Sequence, residues 1–169
     1  MASKSFVIKS RYILKECLDY ISRIEILPDK PFTIYIEEYK KATDEKRKAC
    51  QNRLYWMWLH DMEKTNIEEY SGWSDKYWHR EMKVKYLVPI FERDDQGYAE
   101  MMASIYKIKE AGYRDDYRVI YKNVIEITST RDATIKQFSE YLKNIEHFCH
   151  SKGIVLRTDN YLYEMSINR

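Results

Sequence analysis

The densest chemistry in this sequence lies in the run Arg47-Lys48-Ala49-Cys50-Gln51-Asn52-Arg53-Leu54-Tyr55-Trp56-Met57-Trp58. Cations, two carboxamides and several aromatics share about three helical turns there. That mixture suits nucleic acid. Lys and Arg neutralise phosphates, Gln and Asn donate to phosphates or base edges, and exposed aromatics stack on unpaired bases. Lys46 extends the basic side, and between Lys40 and Arg53 six basic residues stand against only Asp44 and Glu45. The net charge of +2 conceals this local excess. Around residues 92–100 the balance reverses, with Glu92, Asp94, Asp95 and Glu100 against Arg93. A near-neutral chain with one basic patch can hold phosphates there without adhering to polyanions everywhere. The bland alternative is a solvated, charged helix face. Trp58 falls on the apolar stripe of the expected helix and Trp56 suits core or stacking platform equally, whereas Gln51 and Arg53 leave the stripe and are expected to make contacts.

A second constellation is Ser129-Thr130-Arg131, followed by Lys136. It sits just before a helix start, and helix N-termini attract anions through free N–H groups and the helix dipole. A phosphate contact is expected there; the competing reading is that Ser129 and Thr130 only shape the turn while Arg131 is solvated.

Signatures of catalysis are missing from the sequence. There is no G-x-S-x-G, no glycine-rich phosphate loop and no H-E-x-x-H, and 4 glycines make a backbone cradle for a nucleotide hard to build. His147 and His150 lie one turn apart around Cys149, but near a helix C-terminus histidine is favourable in its own right. Asp61 with Glu63 could serve a metal-dependent nuclease. Glu37 and Glu38 are a poor metal pair, because adjacent residues of a strand point to opposite faces. Cys17, Cys50 and Cys149 are odd in number, widely spaced and set among apolar neighbours, where a free thiol acts as a small hydrophobe. The expectation is a protein that binds rather than catalyses, without metal or cofactor; the nuclease is the weakest alternative.

The elements that would position these groups are read from periodicity. Residues 5–9 alternate as a short strand, and Ser10 caps a helix over about 11–24. Residues 32–39 are β-branched and aromatic, a second strand. Thr43 to about Lys64 is helical, with Cys50, Leu54, Met57, Trp58 and Met62 as its stripe. After Gly72, Ser74 caps a helix over 75–87 that Pro89 should stop. Tyr98 to Lys109 reads as a helix closed by Gly112, and 118–128 as a strand with room for a hairpin turn at Lys122-Asn123. Thr134 and Gln137 form a capping box for a last helix carrying Ile135, Phe138, Leu142, Ile145 and Cys149, with Gly153 at its end. The class is α+β: a small sheet packed by several helices in one domain spanning 1–169. With 169 residues the chain buries enough surface to need no staple. A leader or membrane-spanning stretch is not recognisable, so a soluble, cytoplasmic protein is expected.

Taken in order, these pieces resemble the NinB/Orf family of phage recombination proteins. The shared features are Gln51-Asn52-Arg53 before an aromatic helix, Gly72-Trp73-Ser74 with Trp78 downstream, and Ile127-Thr128-Ser129-Thr130-Arg131 ahead of Phe138, Leu142, Ile145-Glu146 and Phe148. Leu27-Pro28 and Lys30-Pro31 before the second strand also fit. The resemblance covers most of the chain. It implies a RAGNYA-like fold and a homodimeric recombination mediator encoded by a phage or prophage. Such a mediator binds single-stranded DNA, and duplex more weakly, and helps load a recombinase onto strands coated by single-strand-binding protein. It further implies contacts from Gln51, Asn52, Arg53, Trp73, Trp78, Ser129, Thr130 and Arg131. Two departures stand out: residues 40–50 are longer and more basic than the family's turn, and 92–117 read as an insertion. A second function class is a protein-interaction factor whose basic patch meets the acidic tail of a single-strand-binding protein.

Overall fold

The computed structural model describes residues 6, 8–27, 29, 33–34, 36 and 43–167. Eight α-helices are found among them: α1 Arg11–Ser22, α2 Asp44–Glu63, α3 Asp75–Met82, α4 Val88–Asp94, α5 Gln96–Glu110, α6 Arg114–Ile127, α7 Ile135–Ser151 and α8 Asn160–Ser166. No strand is present among the described residues, apart from one isolated bridge residue, Leu27. The expected α+β class and its small RAGNYA-like sheet are therefore corrected to a helical fold. Lys9, Thr33, Ile34 and Ile36 lie in irregular backbone, and much of the expected strands at 5–9 and 32–39 falls outside the described residues.

The strand expected at 118–128 is instead most of α6. Its β-branched residues suggested alternation, but Tyr117, Tyr121, Val124 and Ile125 also recur at helical spacing. Packing on α5 selects that second period. Val88, Met102, Ile105, Val124 and Ile125 form a small core of their own, with Met101, Tyr106, Tyr117 and Tyr121 around it. Tertiary burial has overridden β propensity here. Gly112, at φ +91°, makes the α5–α6 turn in the left-handed region that a side chain resists. Residues 92–117, expected as an insertion, thus supply the end of α4, all of α5 and the start of α6.

Pro89 does not stop the third helix. α3 runs through a π-helical turn, Lys83–Leu87, into α4, which has the proline in its first turn. The Val88 N–H bonds to the carbonyl of Lys83, five residues back. A proline inside an α-helix would lack its N–H bond and push its ring into the carbonyl four residues earlier. A widened turn relieves that clash while keeping the helix continuous.

α2 is the central element and packs against α3, α7 and α8. Thr43 caps it by accepting from Lys46 N–H, and Asp44 and Glu45 occupy the positive end of its dipole. Its buried face is Arg47, Cys50, Gln51, Leu54, Tyr55, Trp58, Leu59 and Met62, a 3–4 spacing along the whole helix. α7 brings Phe138, Tyr141, Leu142, Ile145 and Cys149 to the same core, and the Thr134–Gln137 capping box forms as expected. Burial pushes the Cys149 thiol up to about 12, as for an inert core group. After Gly153, at φ +71°, a segment without regular secondary structure returns along α2. Arg157 pairs with Asp61, and the Trp58 indole donates to the Arg157 carbonyl. α8, capped by Asp159, then closes the core with Leu162 and Met165.

Gln51 stitches three helices. Its Nε2 donates to the carbonyls of Ile135 and Ser166 and lies 2.9 Å from Ser139 Oγ, whose own hydroxyl donates to the Ser166 carbonyl. Truncating Gln51 to Ala strands a buried carbonyl and opens a gap between α2, α7 and α8. Denaturant titration should show a loss of about 1–3 kcal/mol.

Candidate nucleic-acid interface

One face of α2 escapes the core. Lys48, Asn52 and Trp56 lie at intervals of four, so they form a single row along the helix. Across from that row runs the loop from Thr128 to Ala133 that leads into α7. Between them is a cleft of about 380 Å³ lined by Lys48, Asn52, Trp56, His79, Lys83, Glu126, Thr128, Ser129, Thr130, Arg131, Ala133 and Phe138. The two constellations singled out in the sequence, some eighty residues apart, meet across this cleft. Its lining holds three basic side chains, Lys48, Lys83 and Arg131, against one carboxylate, Glu126.

Trp56 is 42% exposed and lies parallel to the His79 ring, with centroids 5.2 Å apart and planes at 14°. The imidazole therefore holds the indole in place while the remaining indole surface meets solvent. His79 is fixed in turn, because its Nδ1 is 2.8 Å from the Tyr55 hydroxyl, which is 3.0 Å from the Tyr141 hydroxyl. Burial, with Lys83 next, lowers the His79 pKa below 6.5, while Glu126 and Asp75 oppose the shift. Neutral imidazole is the favoured form.

Lys83 is the residue that the sequence reading missed. It opens the π turn, is 4% exposed, and donates from Nζ to the Thr128 carbonyl at 2.7 Å. Burial lowers its pKa and Glu126 partly restores it. Thr128 is held from the other side, with the Tyr98 hydroxyl at 2.8 Å from its Oγ1, which donates to the Val124 carbonyl. The loop carrying Ser129, Thr130 and Arg131 thus springs from an anchored residue. No local signal in the sequence marks Lys83.

The remaining expected contacts fall elsewhere. Gln51 and Trp78 are 0% exposed and cannot meet a ligand; Gln51 clamps helices and Trp78 packs against Tyr70, Trp73 and Phe148. Trp73 is half-buried in the same aromatic group. Arg47 lies on the buried face of α2. Lys46 lies over the Tyr161 ring, 5.7 Å from its centroid. Arg53 and Lys136 are exposed but outside the cleft. Lys40 and Lys41 lie outside the described residues. Of the carboxylates weighed for a nuclease, Asp61 is taken by Arg157 and Glu63 pairs with His60. His147 and His150 are exposed, and no cluster of three or more metal-ligating side chains occurs among the described residues. No helix among them is long and apolar enough to cross a membrane.

No family model, curated protein or solved structure matches the chain.

The His79 environment has a measurable consequence. A histidine with a lowered folded pKa takes up its proton more readily when unfolded, so stability is full above the unfolded value and declines as pH falls below it. Between about pH 7 and about pH 5 the wild-type protein should lose stability more steeply than His79→Gln; parallel denaturation curves would remove this linkage.

Proposed function

We propose that this protein binds single-stranded DNA in the cleft between α2 and the Thr128–Ala133 loop, and acts by binding rather than by bond chemistry. The observation that carries the reading is the row Lys48, Asn52 and Trp56 facing Ser129, Thr130 and Arg131 across one cation-rich cleft. Each group has a use. Lys48 and Arg131 neutralise phosphates, Asn52 and the two hydroxyls donate or accept at phosphate oxygens and base edges, and the half-exposed Trp56 offers a face to an unpaired base. Duplex is the poorer substrate, because its bases are already stacked on one another and cannot use Trp56.

The recombination-mediator role, with a homodimer, single-strand-binding protein as partner and a phage origin, rests on the resemblance to NinB/Orf proteins. That resemblance also implied a sheet which the described residues lack. The cleft supports DNA binding independently of that resemblance.

Fluorescence anisotropy of labelled oligo-dT and matched duplex across a salt series tests it. Single strands should bind more tightly than duplex, and affinity should fall linearly in log–log form with salt. Trp56→Ala should cost about 1–3 kcal/mol of strand binding with little change in slope. Arg131→Ala should weaken binding and flatten the slope by roughly 0.7, whereas Lys136→Ala, outside the cleft, should do less. Absence of strand binding at low salt, with retained binding to the acidic tail of a single-strand-binding protein, would transfer the cleft to a protein partner.

A further inference from the structure

The cleft has a floor that a continuous strand does not need. Lys83 is almost fully buried, yet it belongs to the lining, and among the described residues its one hydrogen bond is to the Thr128 carbonyl. An ammonium carries three donors. Among the described residues no carboxylate reaches ion-pair distance of it, and Glu126 acts on it only from further away. A buried cation without a close counterion is costly, and it is sited here on a π turn, an irregularity that recurs at functional sites. The remaining donors call for an anion that enters the cleft.

An internal phosphodiester is a poor fit for that position. It bears a single charge and a sugar on each side, so it passes tangentially along a groove. A terminal phosphomonoester has three free oxygens and a charge approaching −2 near neutral pH. It can enter a recess end-on. We propose that the cleft holds the phosphorylated end of a single strand, with Lys83 anchoring the terminal phosphate, Lys48 and Arg131 flanking it and Trp56 stacking the end base. This deepens the strand-binding reading and rests on it. Glu126 is then a hydrogen-bond acceptor suited to a sugar hydroxyl or a base amino group.

The test compares internally labelled short oligo-dT in four forms: 5′-phosphorylated, 3′-phosphorylated, hydroxyl at both ends, and circular. One phosphorylated form should bind roughly tenfold more tightly than the hydroxyl-ended and circular forms. Thymidine monophosphate should compete for that increment, and Lys83→Met should abolish it, while Arg53→Ala, outside the cleft, retains it. Equal affinity of all four forms for the wild-type protein overturns end recognition whether or not the variant folds, and leaves salt-sensitive strand binding standing. A preference undiminished in a folded Lys83→Met protein overturns the anchor. Capture of thymidine monophosphate without capture of any strand would make this a mononucleotide pocket and overturn both readings.

Discussion

Gln51 holds the carbonyls of Ile135 and Ser166 from the middle of the buried face of α2, and this junction fixes which sides of that helix point where. A helix has 3.6 residues per turn, so committing 51, 54, 55, 58 and 62 to the core leaves 48, 52 and 56 as a row on the adjoining side. The same bond sets the start of α7 against α2, since its acceptor is the first residue of α7. The loop just before that residue is thereby brought to the edge of the row. The cleft is the space that this arrangement leaves open.

The π turn acts on the cleft from a third direction. Pro89 makes a regular α-helix unfavourable at this place, and a turn with five-residue spacing resolves the conflict. The extra residue rotates α3 about the helix axis relative to α4. Lys83, at the start of the turn, is turned inward toward Thr128, while His79, one turn earlier, stands beside Trp56. Backbone accommodation and cleft geometry are therefore linked: the segment that tolerates the proline also supplies the buried lysine and the histidine stacked on Trp56. The small α5–α6 core continues from α4 and reaches Thr128 through the Tyr98 hydroxyl, so the helical hairpin bears on the loop that carries Arg131.

Charge at the open surface contributes little to stability. Arg93 makes paired bonds to Glu140 and Asp94 at 2.7–2.9 Å and holds the Asp94 carboxyl down at about 2, but these groups are open to solvent. In the cleft, low-dielectric walls make the same kind of charge count for more. The acidic 92–100 stretch is partly neutralised within its own surroundings and does not line the cleft.

Helices with local signals were legible from the chain alone. Ser10, Thr43, Ser74 and Thr134 all cap where hydroxyls precede an apolar period, and Gly112 and Gly153 end helices in the left-handed region; the stripe of α7 lies in the observed core face, as does that of α2 apart from the partly buried Met57. The sequence also singled out both banks of the cleft, since Lys48, Asn52 and Trp56 on one side and Ser129 to Arg131 on the other are short-range patterns. The rest depends on contacts between distant segments. The period of α6 was ambiguous until packing on α5 made one face buried, and Pro89 read as a stop because a π turn is a response to packing on both sides of it. Gln51 and Trp78 appeared available for contact because a polar or aromatic residue does not disclose from its neighbours in sequence whether a carbonyl or a ring from a distant helix will cover it. Lys83 and His79 became visible only once α3, α6 and the loop before α7 enclosed a common space. Caps and stripes are written in contacts three or four residues apart, whereas burial of a polar group depends on partners some fifty to more than one hundred residues away.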